Sequence, residues 1–182
     1  DIALVIDTSN SMQEPAGGGT GTKLDAAVYA AKVFLSNLKL PGDRVAVVAF
    51  NGAATTVSGP SSDIGVLARA LDTLPTGAGT RIDLGIEAAA AALGERVTNR
   101  LQAIVLLTDG QPSGTTPEAV RAAAAGARAS GILIYTIGLG PDADQALLAE
   151  VAGVAGRAFR APNEAVLADI YRAIARAIPC GR

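Results

Sequence analysis

An α/β domain with a mostly parallel sheet is the fold this sequence predicts, on three observations. Short apolar runs alternate along the chain with longer segments of helical periodicity. Runs such as Ile2–Ile6 (IALVI) and Ala103–Leu107 (AIVLL) have no polar face, as strands covered by helices on both sides require. Asn51-Gly52 separates two strand-like runs and is a strong hairpin signal, so one antiparallel pair is expected among the parallel strands.

Each element follows from its own residues. Ile2–Ile6 is the first strand, and a Gly-rich loop follows it. Lys23–Leu38 reads as a helix, with Leu24, Ala27, Val28, Ala31, Phe34, Leu35 and Leu38 on one stripe, stopped by Pro41-Gly42-Asp43. Arg44–Phe50 and the weaker Ala54–Ser58 are the hairpin strands. Asp63 is an N-cap for a helix through Leu74. Ile82–Leu93 is an alanine-rich helix, and Ala103–Leu107 a fourth strand. Thr116, Pro117 and Glu118 are the N-cap, N1 proline and first-turn acid of a helix to about Ala129. Ile132–Ile137 is a fifth strand, Asp144–Ala152 a short helix, Ala158–Arg160 a last strand, and Glu164–Ile178 a final amphipathic helix.

Composition narrows the chemistry. The 182 residues include no His and one Cys, with a formal net charge of -2 and no basic block. Imidazole acid–base catalysis, Ser-His-Asp and Cys-His nucleophiles and the usual zinc sites are excluded. A metal site must use oxygen ligands and so prefers a hard cation. Nothing favours a nucleic-acid or membrane partner. Cys180 reads as a free thiol, with a bond to a cysteine outside this sequence as the alternative. The chain begins at Asp1 rather than Met, so residues 1–182 are expected to be one domain excised or processed from a longer protein.

In an open parallel sheet, ligands bind beyond the carboxyl ends of the strands. The residues following those ends are therefore the candidates. Asp7, Ser9 and Ser11 follow the first strand at intervals of two, which in an extended loop puts them on one side. Thr80 precedes the alanine-rich helix, and Asp109 follows the fourth strand. If these loops converge, two carboxylates and three hydroxyls form an all-oxygen pocket suited to Mg²⁺.

In these residues, over essentially the whole chain, the sequence resembles the von Willebrand factor A-type family, which includes the integrin inserted domains. Asp7-x-Ser9-x-Ser11, Thr80 and Asp109 match its metal-ion-dependent adhesion site. The resemblance implies a three-layer αβα, Rossmann-like fold with six strands, the third antiparallel at one edge. It implies metal binding through the hydroxyls of Ser9, Ser11 and Thr80, with Asp7 and Asp109 acting directly or through water. The cation would be Mg²⁺, with Mn²⁺ and Ca²⁺ as alternatives. The resemblance also implies a last helix that shifts on ligand binding, here the face of Val166, Leu167, Ile170, Ile174 and Ile178. Met12–Thr22 is longer and richer in glycine than that loop often is, and reads as a tolerated, mobile insertion, with a loop that covers or borders the metal as the alternative.

Other motifs fail. In Gly17–Lys23, Thr22 stands before the lysine and Leu24 after it, so it is not a phosphate loop. Gly138-Leu139-Gly140 follows the fifth strand rather than the first and reads as a strand-to-helix turn. The expected function is metal-dependent binding of a protein that presents Asp or Glu, not catalysis. The alternatives are metal-assisted phosphate or ester hydrolysis, which lacks an evident general base, and a structural role in a larger complex. A cell-surface or secreted setting is expected, with a cytoplasmic one left open. Partner identity and oligomeric state are not legible.

Overall fold

The computed structural model describes residues 1–17 and 21–178. Strands β1 (Ile2–Asp7), β2 (Val45–Phe50), β3 (Ala54–Ser61), β4 (Ala103–Thr108), β5 (Leu133–Leu139) and β6 (Ala158–Ala161) form one sheet in the order β3-β2-β1-β4-β5-β6. Every neighbouring pair is parallel except β2 and β3. The helices are α1 (Lys23–Ser36), α2 (Ile64–Asp72), α3 (Ile82–Leu93), α4 (Pro117–Ala129), α5 (Gln145–Ala152) and α6 (Leu167–Ala177). None among the described residues is long and apolar enough to cross a membrane. The expected α/β architecture with one antiparallel edge strand is the observed one. Cys180 lies outside the described residues.

The strand pleat divides the core into two layers. Ile2, Leu4 and Ile6 of β1 pack with Phe34 and Leu35 of α1, Leu67 and Leu71 of α2, and Leu167, Tyr171 and Ile174 of α6. Ala3 and Val5 pack on the other face with Ile82 and Ile86 of α3, Val120 of α4 and Leu148 of α5. β1 and β4 lie wholly buried between these layers, which explains why their sequences carry no polar alternation.

Local chemistry sets the helix ends. Thr116 accepts from the Ala119 N–H and Asp63 from Gly65 and Val66, each capping a helix where the sequence indicates; Asp144, expected inside its helix, instead caps it by accepting from the Leu147 N–H. α1 opens with a capping box between Thr22 and Asp25. It ends at Ser36 rather than Leu38, where the Asn37 amide turns back onto the Val33 carbonyl. α2 ends at Asp72 rather than Leu74, because Pro75 disfavours helical backbone at the residue before it. The last helix divides into a 3-10 turn at Glu164–Val166 and α6. There Asn163 Oδ1 accepts from the Ala165 N–H and tightens the entry. Of the expected apolar face, Leu167 and Ile174 are fully buried and Val166, Ile170 and Ile178 partly so; Tyr171 joins them, edge-on to Phe34 at 5.7 Å between ring centroids.

Both sheet edges are irregular or short. β3 pairs with β2 through two register shifts and carries Gly59 and Pro60, and β6 has four residues. In the strand order, β1 leads to β2 and β3 on one side, while β4 begins the other half. The carboxyl ends of β1 and β4 therefore flank the crevice where such sheets take ligands.

α3 approaches this centre closely. A Cβ on Gly85 would lie 3.0 Å from the Phe50 ring and 3.2 Å from Val5. Gly85→Val is therefore expected to overpack the β1–β2–α3 contact and lower stability by about 1–3 kcal/mol. The readout is a lower denaturant midpoint at unchanged slope.

Candidate metal centre

Asp7 ends β1 with its carboxylate fully buried. Its Oδ1 accepts from the Ser9 N–H at 2.8 Å and its Oδ2 from the Thr108 hydroxyl, at the end of β4, at 2.6 Å. The next residue, Thr8, ties β1 to β2: its N–H and hydroxyl both donate to the Phe50 carbonyl, at 2.7 and 3.1 Å. One dipeptide thus fixes three strand ends.

The loop beyond is not extended. Asn10–Gln13 forms a 3-10 turn with Met12 fully buried as its anchor. Ser9 and Ser11 converge because the Asp7 carboxylate captures the Ser9 N–H and the turn swings Ser11 back, not by alternation along a strand. The two hydroxyls stand 3.0 Å apart, and the Ser11 hydroxyl donates to Asp109 Oδ1 at 2.7 Å.

The contacts that join Ser9, Ser11 and Asp109 do not include the Thr80 hydroxyl; Thr80 is tied by its backbone to the loop after β4. It exchanges N–H···O bonds with Ser113, both 3.1 Å, in the loop after β4, and nearby Gly77 donates to the Thr8 carbonyl at 3.1 Å. Gly79 (φ 89°) lies against Gly52, whose N–H donates to the Ala78 carbonyl at 2.7 Å. A Cβ on Gly79 would come within 2.8 Å of the Gly52 Cα, so only glycine admits this approach. Asp83, in the first turn of α3, grips the Arg81 guanidinium through Nε and Nη2 at 2.8–3.2 Å. Burial raises the Asp83 carboxyl's proton affinity, but the bonds from Arg81 and Thr115 outweigh it and hold it below the usual carboxylate range.

The sequence reading missed one participant. The Lys23 ammonium, at the first position of α1, donates to Asp109 Oδ2 at 2.9 Å and to Glu14 Oε2 at 2.8 Å. Its signal was an N1 lysine where a helix dipole favours an acid. The described part of the Gly-rich loop is tied down rather than free: Glu14 holds Lys23, Pro15 bridges to Thr22, and the Gly17 N–H donates to Glu164 at 3.1 Å.

Burial and the neighbouring charges shift two groups of this cluster. Burial pushes the Asp7 carboxyl up to about 6, aided by the charge of Asp109 and opposed by the bonds from Thr108 and Ser9. Burial pulls the Lys23 ammonium down, but Glu14 and Asp109 prevail and raise it above its ordinary value. Among the described residues no three His, Cys, Asp or Glu side chains gather around a metal position. A cation here would rely on hydroxyls beside two carboxylates. The oxygens fit that use. The Ser9–Ser11 and Ser11–Asp109 separations are 3.0 and 2.7 Å.

The von Willebrand factor type A domain profile matches residues 2–111, from the start of β1 past Asp109. The chain belongs to that family. It is 32% identical over 154 residues to human calcium-activated chloride channel regulator 1, covering 80% of this chain and 15% of that protein. A UPF0353 protein of Mycobacterium tuberculosis is 33% identical over 150 residues, 76% of this chain and 44% of its own. The chain thus spans less than half the length of these curated relatives. Among solved structures, the von Willebrand factor domain of the type V pili tip protein Mfa5 from Porphyromonas gingivalis superposes with a TM-score of 0.82 at 18% identity, over 97% of this chain and 94% of that one. Proximal thread matrix protein 1 of the mussel byssus, with a zinc-occupied MIDAS motif, superposes at 0.79 and 23% identity, over 96% and 45%. These likenesses show the von Willebrand factor A fold.

Asp7 gives this family member a pH signature. Its carboxyl titrates near 3.8 in the unfolded chain and about 6 in the fold, so the native state holds the extra proton between those values. Protonation therefore favours folding; that contribution is complete below about pH 4 and is lost as pH rises through about 6. Asp7→Asn, in chelator, is expected to remove this dependence. The stability difference between wild type and variant, from urea titrations, should slope between pH 4 and 6 and level off on either side.

Proposed function

We propose that this domain is a metal-dependent protein-binding module. Its Asp7, Ser9, Ser11, Thr80 and Asp109 hold a divalent cation, Mg²⁺ foremost, which receives a carboxylate from a partner's Asp or Glu. The clustering of the Ser9 and Ser11 hydroxyls with the Asp109 carboxylate, next to the buried Asp7, carries this reading. Family membership supports it, and so do the pilus-tip domain and the zinc-occupied MIDAS motif of the byssus protein. Mn²⁺ and Ca²⁺ suit the same oxygen donors.

Each residue has a distinct task. Asp7 lies deepest and orients the loop through the Ser9 N–H; it supplies negative charge from behind Ser9 and Ser11. Those two hydroxyls and Thr80 are neutral donors. Asp109 supplies the second charge. Held mainly by neutral ligands, a bound divalent cation keeps enough electrophilicity to accept an outside carboxylate. The surrounding loops select among partners. The site has carboxylates and hydroxyls but no imidazole, a set better matched to gripping an anion than to relaying protons. The fold shared with the pili tip protein's domain supports a cell-surface or secreted setting for the module.

Mg²⁺ or Mn²⁺ at a hundredfold excess over Kd is expected to stabilise the wild-type domain by about 2.7 kcal/mol. Ser9→Ala and Asp109→Ala should lose most of that gain in thermal-shift titrations. Immobilised acidic peptides should bind the loaded domain and release it in excess chelator, while their amide counterparts should not bind. Peptide binding that persists unchanged in chelator would sink the proposal.

A further inference from the structure

Lys23 bonds directly to a carboxylate of the site, and its position is specific. Its ammonium bridges a carboxylate inside the site to one outside: the Asp109 side chain is 1% exposed and that of Glu14 is 62% exposed. The Lys23 side chain itself is 19% exposed, so it is drawn in rather than extended into water. Thr22 and Asp25 fix the start of α1 through their capping box and so fix the root of this side chain. Lys23 engages Asp109 Oδ2, while the Ser11 hydroxyl engages Oδ1, so together they occupy both oxygens of that carboxylate.

We propose that Lys23 is a tethered counter-cation that competes with the divalent metal for Asp109, and that Glu14 receives it when the metal loads. The proposal rests on the metal reading above. The charges support an exchange. Without metal, one ammonium is shared by two carboxylates beside a buried Asp7. With metal, the dication balances Asp7 and Asp109, and Lys23 balances Glu14. Lys23 needs only to give up one of two existing contacts, because the Glu14 contact at 2.8 Å is already made. The Glu14–Lys23 pair thus sets the cation concentration at which the site fills, and couples loading to the loop that Glu14 belongs to.

Calorimetric titration of the whole chain with Mg²⁺, and separately with Mn²⁺, tests this without any partner. Lys23→Met keeps the length and helix preference of the side chain. It should tighten metal binding by about tenfold, and lower the thermal midpoint in chelator because the buried Asp109 loses its counter-charge. Glu14→Gln, a change at an exposed position, should weaken binding several-fold by leaving Lys23 on Asp109. In the Lys23→Met background, Glu14→Gln should then have almost no effect. Additive effects in that double variant would mean that both residues act only through their long-range field, and would overturn the exchange. Unchanged affinity in Lys23→Met, with the wild type binding metal, overturns the competition and leaves the metal reading standing. No binding by the wild type or any variant overturns both. If Lys23→Met does not fold in chelator, Glu14→Gln decides: unchanged affinity there also overturns the proposal.

Discussion

The top of this sheet is organised around one buried carboxylate. Asp7 cannot reach water, so its two oxygens must find donors within the fold, and they find the Ser9 N–H and the Thr108 hydroxyl. The first bond bends the chain as it leaves β1; the second fastens β1 to β4 across the crevice. The hydroxyls of Ser9 and Ser11 inherit their positions from that bend, and Asp109 inherits its position from the strand that Thr108 ends. The cost is a charge in a poorly solvated place, visible in a carboxyl pushed up to about 6. That shift ties the stability of the fold to the protonation of this one carboxyl.

The fold was legible because its signals are local and redundant. Strands buried on both faces read as apolar runs, the caps at Asp63 and Thr116 stand where their side chains serve free N–H groups, and Asn51-Gly52 marks the antiparallel turn. The contacts among Ser9, Ser11 and Asp109 were legible by residue type and by their place after strand ends. Their mode of convergence was not. Spacing by two suggested an extended segment, whereas a backbone-to-carboxylate bond and a buried Met12 produce a 3-10 turn. Lys23 escaped because its partner Asp109 lies 86 residues away, and no local pattern reports that distance. The divided last helix escaped because an Asn side chain competes with the helical ladder at its entry.

Precision at the site is supplied from below by close packing. Gly85 lets α3 press on β1 and β2, and Gly79 lets the Thr80 loop lie on the Gly52 backbone. These contacts leave little slack between layers, so small displacements at the strand ends are resisted by the core. The Arg81–Asp83 pair extends that support into the first turn of α3, directly beyond Thr80.

The irregular sheet edges carry a different consequence. A bulged outer strand with Gly59 and Pro60 on one side, and a strand of four residues on the other, offer poor templates for adding a further strand. Copies of such a domain can be crowded together without zipping into a continuous sheet. Backbone pairing along the flanks is thereby disfavoured, and contacts between neighbouring copies are left to side chains.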